Sequence, residues 1–234
     1  SDDNDFNRAD YTDTTGGITA TLSAVGTVTG DSSVGTDTLL GMDEVRGSAF
    51  TDSFTADSSH SGNFDGFNSF EGQGGNDTVT GNGNTRISFL QATAGVTVNL
   101  ATGVATGDAS VGTDTITGGV NRIQGSAFAD TLTGTDGAGF EDFRGGAGDD
   151  VIDGGGGSLD GVDYATSTSG VTVNLASGTA SDGFGGTDTL TGIERVRGSD
   201  FDDTLIGDSG DNSLDSGLGQ RHPDRRRRER HPAR

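Results

Sequence analysis

Side chains that carry oxygen recur in this sequence at one fixed place, two residues before a large apolar residue. Asp77 precedes Val79 in this way, and Asp150 precedes Ile152. Carboxylate and amide oxygens are hard ligands, suited to a divalent cation. The spacing therefore predicts a row of cation-binding side chains. The full set is Asp43, Asp52, Asn68, Asp77, Asn121, Asp130, Glu141, Asp150, Glu194, Asp203 and Asn212.

The apolar residues that follow these oxygens are themselves paired nine residues apart. Glycine and threonine fill the positions between them, which does not suit an amphipathic helix. A period of nine suits a short strand with one inward side chain, followed by a tight glycine turn. Two such nines make one flattened coil, so we predict an all-β fold, a parallel β-roll or β-solenoid with a thin apolar row as its core. The pairs are Val45/Phe54, Phe70/Val79, Ile123/Leu132, Phe143/Ile152 and Val196/Leu205/Leu214.

A longer repeat is superimposed on the nonapeptides. The tetrapeptide Gly-Thr-Asp-Thr at 35–38 returns at 112–115 and 186–189, which are spacings of 77 and 74 residues. Such internal periodicity indicates a repeat architecture with three units. The predicted divisions are a lead-in at 1–7, which can be the edge of a fragment, repeat units at 8–84, 85–160 and 161–219, the last truncated, and a tail at 220–234.

Two segments alternate apolar and polar residues with a period of two. They are Val96–Leu100 and Val171–Leu175, and the alternation is typical of half-buried strands. We expect them to form longer coils or rungs between the nonapeptide blocks. Hairpins are the alternative that the pattern leaves open.

The composition argues against several classes of function. The 234 residues include 43 glycines, no cysteine and only 29% hydrophobic residues, so one large globular core is not expected. The formal net charge is −22, and a surface of this sign repels nucleic acid and anionic membranes while it attracts cations. No apolar run is long enough for insertion into a membrane. A merely solvated acidic surface is the alternative, and the ordered placement of the acids argues against it.

One nonapeptide carries a specific resemblance. Gly145–Asp153 reads Gly-Gly-Ala-Gly-Asp-Asp-Val-Ile-Asp and matches the pattern G-G-x-G-x-D-x-U-x at every fixed position. Looser copies lie at Gly72–Thr80 and Gly207–Asp215. On these residues the chain resembles the hemolysin-type calcium-binding (repeats-in-toxin, RTX) family, and the resemblance covers nearly all of 8–220.

The resemblance implies that Ca²⁺ is the cofactor and that calcium ions are the main partner. It implies a secreted protein, extracellular or on the bacterial cell surface, that is exported by type I secretion and folds outside the cell where calcium is available. A structural or adhesive role follows, and contact with a cell surface or a polysaccharide is left open. The alternative is a calcium-indifferent solenoid held by its apolar row and strand ladders.

In that family an ion lies between two turns on the same edge of the roll, one full coil apart. Allowing for two insertions, Asp52 then faces Asp77, and Asp130 faces Asp150. The partner of Asp203 would stand at position 221, which is an arginine, so that site is expected to be weak. The predicted metal ligands are Asp52, Asp77, Asp130, Asp150 and Asp203.

Three further copies of the motif have a different turn. Gly47–Thr55, Gly125–Thr133 and Gly198–Ile206 keep glycine first and aspartate sixth, but have serine second and phenylalanine fourth. A bulky residue fits poorly where a positive φ is needed. Our interpretation is that these phenylalanines pack over a neighbouring rung, and that the turns bind calcium weakly or not at all.

Residues 220–234 form an arginine-rich tail that does not match the rest of the chain. Arg-His-Pro occurs at 221–223 and again at 230–232, nine residues apart, without nonapeptide chemistry. A one-base shift turns possible codons of Gln220–Pro223 into Asn-Asp-Thr-Leu, which continues the motif. We interpret the tail as a frameshift product and expect it to be disordered.

The sequence contains no pattern that predicts catalysis. Its histidines are His60, His222 and His231, and it lacks the motifs of zinc proteases, serine hydrolases and cysteine nucleophiles. Pairs of acids are better explained here by calcium than by glycosidase chemistry. We therefore predict that the chain is not an enzyme. The alternatives are the C-terminal calcium-binding roll of a secreted protease or lipase whose catalytic domain is absent, and a carbohydrate-acting β-helix.

Overall fold

The computed structural model describes residues 6–58 and 67–217, and its regular structure there is entirely β-strand. Within those ranges there is accordingly no helix that could cross a membrane. The predicted frameshift tail lies outside the described residues. In chain order the strands are β1 (Arg8–Asp10), β2 (Thr19–Leu22), β3 (Gly26–Thr29), β4 (Thr36–Leu39), β5 (Glu44–Arg46), β6 (Ser53–Ala56), β7 (Asn68–Glu71), β8 (Thr78–Ser88), β9 (Thr97–Asn99), β10 (Val104–Thr106), β11 (Thr113–Gln124), β12 (Thr131–Thr135), β13 (Asp142–Arg144), β14 (Val151–Gly155), β15 (Gly161–Asp163), β16 (Thr172–Asn174), β17 (Thr179–Ser181), β18 (Thr187–Thr191), β19 (Arg195–Arg197), β20 (Thr204–Ile206) and β21 (Ser213–Asp215).

The strands form two faces of a solenoid. On the first face the hydrogen-bonded order is β4, β3, β2, β6, β8, β11, β10, β9, β12, β14, β18, β17, β16 and β20. On the second face it is β1, β5, β7, β8, β11, β13, β15, β19 and β21, all parallel. The long strands β8 and β11 belong to both faces because each bends from one to the other, with register shifts between Gly119 and Arg122. The predicted all-β, mostly parallel roll is confirmed.

The core is the thin apolar row that the nine-residue spacing predicted. Phe54 of the first face and Phe70 of the second are both fully buried, and their ring centroids lie 5.2 Å apart. Val45, Val79 and the pairs of the second unit are buried as well. The last pair, Leu205 and Leu214, is only partly covered, because it lies at the end of the described coils. Burial of each fully covered side chain of this size stabilises the fold by roughly 1.5–3 kcal/mol.

The alternating segments form hairpins, so the described residues do not show the expected longer coils, although the hairpin strands are inserted as extra rungs in the first face. Strand β9 pairs antiparallel with β10, and β10 pairs antiparallel with β11. The same arrangement recurs in β2–β4 and in β16–β18. Gly103 and Gly178 have φ values of 69° and 66° in the first turns of two of these hairpins, a conformation that glycine adopts without strain. The boundaries of the three predicted units stay a prediction.

All seven arginines of the described residues lie on strands of the second face, which we call the arginine face. Three of them alternate with two phenylalanine rings in a cation–π series, in which the guanidinium of Arg122 lies 4.9 Å from the ring of Phe67 and 5.3 Å from that of Phe140. Arg86 stacks on the first ring and Arg195 on the second. The seven are Arg8, Arg46, Arg86, Arg122, Arg144, Arg195 and Arg197.

Candidate cation-binding turns

Aspartates stack along the edge where the chain passes from the second face to the first. The backbone N–H of Asp52 donates to Oδ1 of Asp77 at 2.9 Å, and the N–H of Asp77 donates to Oδ1 of Asp114 at 2.9 Å. The series begins where the N–H of Ile18 donates to Oδ1 of Asp52. All three aspartates are buried, so this column of carboxylates ties adjacent coils together through the main chain.

A second column repeats this arrangement. The N–H of Asp130 donates to Oδ1 of Asp150 at 2.8 Å, and the N–H of Asp150 donates to Oδ1 of Asp188 at 3.1 Å. The predicted neighbours therefore do face each other in both columns. Asp203 opens a third column, where it accepts from the N–H of Val171, and its predicted neighbour at position 221 lies outside the described residues.

The first glycine of each turn is required because the sixth residue occupies its side-chain space. A Cβ atom added to Gly72 would lie 2.0 Å from Oδ2 of Asp77, and one added to Gly145 would lie 2.1 Å from Oδ2 of Asp150. Both distances are far inside van der Waals contact. The carboxylate thus folds back under its own turn, and any larger first residue would displace it.

Two turns, Gly72–Asp77 and Gly145–Asp150, share one backbone conformation, and we call them glycine turns. Their second and fourth residues have positive φ. The values are 69° for Gln73, 130° for Gly75, 109° for Gly146 and 122° for Gly148. In both turns Oδ2 of the sixth residue is buried and accepts no hydrogen bond. A buried carboxylate oxygen without a partner is costly, so these two atoms are the strongest indication of a cation-binding site.

The turns with serine in second position, Gly47–Asp52, Gly125–Asp130 and Gly198–Asp203, are built differently, and we call them serine turns. In the second of them, Ser126 donates its N–H to Oδ2 and its hydroxyl to Oδ1 of Asp130, both at 2.7 Å. Its hydroxyl also accepts from the N–H of Phe128. Both carboxylate oxygens are therefore satisfied without a cation.

The interpretation that the phenylalanines of the serine turns pack over a neighbouring rung is wrong. Phe50, Phe128 and Phe201 are 45–46% exposed. The serine, and not the aromatic ring, completes these turns. The prediction that serine turns bind calcium weakly or not at all stays a prediction, and the occupied oxygens of their aspartates support it.

Replacing Ser126 with alanine should destabilise the fold by about 1–3 kcal/mol, whether or not calcium is present. The substitution leaves the buried Asp130 with one donor fewer and removes the acceptor of the Phe128 N–H. Chemical denaturation of Ser126→Ala in calcium and in EDTA measures this loss. Ser158→Ala, at an exposed position, is the control and should change little. A loss that appeared only with calcium would contradict the account.

Burial raises the pKa of several carboxyl groups in both columns. Burial, together with the neighbouring charges of Asp114 and Asp52, raises the pKa of Asp77 to about 8. Burial likewise raises the pKa of Asp150 and of Asp114 to about 7, and that of Asp188 to about 6. Near neutral pH these groups need either a proton or a cation.

The opposite edge holds one more orphaned carboxylate. The N–H of Glu141 donates to Oδ1 of Asp160, but Oδ2 of Asp160 is buried and has no partner. Burial, with the charges of Glu141 and Glu194, raises the pKa of Asp160 to about 6. The turn before it contains four consecutive glycines, Gly154–Gly157, with positive φ at the second and fourth. It resembles a glycine turn lengthened by one residue.

Sequence reasoning missed Asp114, Asp160 and Asp188. For Asp188 a signal was present, because Gly183–Asp188 reads Gly-Phe-Gly-Gly-Thr-Asp and has the same glycine and aspartate positions as Gly72–Asp77. The run Gly154–Gly157 was the corresponding signal for Asp160. The extra residue moved that turn out of phase with the nine-residue count.

The donor atoms available at the glycine turns fit a hard divalent cation. Asp77 and Asp150 each offer one buried carboxylate oxygen without a hydrogen-bond partner. In the same two turns, the main-chain carbonyl oxygens of Gly75 and Gly148 closely approach the neighbouring loops. In the described ranges, no three or more His, Cys, Asp or Glu side chains gather around one point as metal ligands. Carbonyl oxygens would therefore supply most of the coordination, as Ca²⁺ accepts and zinc does not.

Comparison with known families agrees with this chemistry. Four stretches of the chain match the model of the RTX calcium-binding nonapeptide repeat, at residues 64–85, 115–138, 137–158 and 182–221. The matched stretches contain both glycine turns and two of the three serine turns, Gly125–Asp130 and Gly198–Asp203. No curated protein matches the chain.

Proposed function

Because this chain carries RTX calcium-binding nonapeptide repeats, we propose that it is the calcium-binding module of a secreted or cell-surface bacterial protein, with a structural rather than catalytic role. The observation that carries the proposal is the pair of buried, unbonded Oδ2 atoms of Asp77 and Asp150. Each lies in a turn with positive φ at its second and fourth residues.

The five predicted site residues have two different proposed roles. Asp77 and Asp150 would hold calcium, together with carbonyl oxygens of their turns. Asp52, Asp130 and Asp203 have carboxylates that accept from serine and main-chain donors, which supports a role in closing turns. When bound, calcium supplies the positive charge that these buried carboxylates lack.

Calcium-coupled folding follows from the charge of the chain. Its formal net charge is −22, and folding brings several of its carboxylates together within dry columns. A cation that binds only the folded state stabilises that state in proportion to its concentration. A chain that stays unfolded at low cytosolic calcium and folds after export would use this dependence, which supports type I secretion and an extracellular location.

We assign the adhesive contact to the arginine face. That face carries all seven described arginines, whereas the aspartate columns lie on an edge. A cavity of about 200 Å³ opens there between Phe67, Arg86, Arg122 and Phe140. Planar guanidinium groups held against aromatic rings are suited to carboxylates, such as those of an acidic polysaccharide. The alternative, a calcium-binding roll of a secreted protease or lipase, keeps the same calcium chemistry.

Calorimetric titration of the whole chain with calcium tests the proposal. We expect binding that is much weaker for magnesium, because Mg²⁺ sheds its water reluctantly and demands stricter geometry. The double variant Asp77→Asn/Asp150→Asn should lose most of the calcium heat, whereas Asp52→Asn/Asp130→Asn should keep it. No heat with the unaltered chain, or equal losses in the two double variants, would overturn the proposal.

A further inference from the structure

Each hairpin segment has three antiparallel strands, namely β2–β4, β9–β11 and β16–β18. The loop between the second and third strands has the same position in all three segments but not the same sequence. It reads Gly-Asp-Ser-Ser-Val-Gly at 30–35, Gly-Asp-Ala-Ser-Val-Gly at 107–112 and Ser-Asp-Gly-Phe-Gly-Gly at 181–186. The third loop thus keeps the aspartate but replaces the serine and valine that follow it.

In the second loop the aspartate is exposed and fully engaged. Oδ1 of Asp108 accepts from the N–H and the hydroxyl of Ser110, and Oδ2 accepts from the hydroxyl of Thr93 at 2.7 Å. Val111 is buried beneath the loop. The first loop has the same bonds, made by Asp31 with Ser33 and Thr15. In both loops the serine and valine keep the carboxylate in solvent.

In the third loop the aspartate is turned inward. Asp182 has no exposed surface, and its Oδ1 accepts from the N–H groups of Phe184, Gly185 and Gly186 at 2.8–2.9 Å. Its Oδ2 is buried without a hydrogen-bond partner. Glycine at 183 and 185, with φ values of 76° and 115°, lets the loop wrap around the carboxylate.

The unbonded oxygen of Asp182 points to the neighbouring glycine turn. A Cβ atom added to Gly186 would lie 2.8 Å from Oδ2 of Asp182 and 2.2 Å from the carbonyl oxygen of Gly148. The two oxygens therefore border one small space that only a glycine at 186 leaves open. Gly148 belongs to the same turn as Asp150, whose own Oδ2 is the other unbonded atom of this region.

Nothing described around this space neutralises the two carboxylates. The ion pairs among the described residues all lie on the arginine face, and none involves Asp182 or Asp150. The nearby hydroxyl of Tyr164 is already committed, since it donates to Oδ2 of Asp188 at 2.8 Å. Asp150 and Asp182 each have a buried carboxylate oxygen without a hydrogen-bond partner, and they lie close enough for the charge of Asp182 to raise the pKa of Asp150. With the carbonyl oxygen of Gly148 beside Asp182, the region offers hard donors suited to a divalent cation.

We propose that Asp182, which lies in the 181–186 loop and not in the glycine turn itself, completes a calcium site with Asp150 and the carbonyl of Gly148. This proposal rests on the proposed calcium-binding function, and it ranks the calcium affinities of the two glycine turns. It has two carboxylates, whereas the glycine turn of Asp77 faces a loop whose aspartate is engaged elsewhere. Because affinity for Ca²⁺ rises with the charge of the ligands, the site at Asp150 should be tighter than the site at Asp77.

Calorimetry of single variants tests this ranking. Asp182→Asn should weaken the tightest calcium-binding event by at least about tenfold, which corresponds to about 1.4 kcal/mol, and leave the weaker event in place. Asp108→Asn, at the equivalent exposed position, is the matched control and should change neither event. Asp77→Asn should remove only the weaker one.

A spectroscopic readout keeps the test valid if Asp182→Asn is less stable. Tb³⁺ is a calcium substitute that luminesces when an excited tyrosine lies nearby, and Tyr164 adjoins the proposed site. The signal should saturate at the lowest Tb³⁺ concentrations, and Tyr164→Phe should abolish it while calcium binding persists. If Asp182→Asn binds calcium as the unaltered chain does, the inference fails and the proposed function stands. If the unaltered chain binds no calcium, both fail.

Discussion

In EDTA, the midpoint of thermal unfolding should fall as the pH is raised from about 5 to about 8, and calcium added at pH 8 should restore it. The reason is the raised pKa of the buried carboxyl groups, about 8 for Asp77 and about 7 for Asp150. A carboxyl group of this kind takes up a proton on folding. Its contribution to stability is full below the unfolded pKa, near 4, and is lost as the pH rises through the folded pKa.

The size of this effect should be large for a chain of this length. One unit of pKa shift corresponds to about 1.4 kcal/mol, so the two groups together cost the calcium-free fold on the order of several kcal/mol at pH 8. For a domain of about 200 residues that is a fall of roughly 10 °C or more in the melting midpoint. Calcium removes the cost because it takes the place of the proton.

The double variant Asp77→Asn/Asp150→Asn provides the control, because an amide keeps the shape of the protonated acid and cannot ionise. At pH 8 it should be more stable than the unaltered chain in EDTA and less stable than it in calcium. Differential scanning calorimetry at both pH values, with and without calcium, measures all four cases. A melting midpoint that rises with pH in EDTA would contradict the raised pKa values.

Replacing Gly145 with alanine should both destabilise the fold and weaken calcium binding at its turn. The added Cβ would lie 2.1 Å from Oδ2 of Asp150, so the carboxylate must leave the position in which its oxygen faces the turn. Crowding of this kind in a packed site costs about 1–3 kcal/mol, and occasionally more. Denaturation in EDTA isolates that cost, and calorimetric titration shows the lost binding.

Gly139→Ala is the matched control for this substitution. A Cβ added at Gly139 has no atom within 4 Å, and this residue is not among the positive-φ glycines. Stability and calcium binding should therefore stay the same or improve slightly. A Gly145→Ala protein that binds calcium with unchanged heat and affinity would show that Asp150 does not need its folded-back position.

Much of the fold could be predicted from one spacing. Asp77 and Val79 illustrate why, since an inward apolar residue fixes the strand and the acid two residues before it fixes the turn. A solenoid coil contacts only its neighbours, so local spacing determines most of its long-range contacts. The same-edge pairing of Asp52 with Asp77 followed from counting residues per coil once the insertion between them was allowed for.

The rest depended on contacts that spacing does not encode. The segment Val96–Leu100 alternates correctly for a strand, but its antiparallel partner β10 is chosen by the short turn at Gly103. The size of Phe128 suggested that it packs over a neighbouring rung, but Ser126 determines how the turn is closed. Asp182 and Asp108 occupy equivalent sequence positions, and only the residues that follow them decide which carboxylate is buried.

The hairpins also make the two faces of the solenoid unequal in length. Between β11 and β12 the first face contains two additional strands, β10 and β9, whereas β11 and β13 are direct neighbours on the second face. The same difference recurs between β18 and β20. With strands spaced about 4.8 Å apart, each inserted pair lengthens one side by roughly 10 Å. We therefore expect the solenoid to curve at both places, with the arginine face on the shorter side.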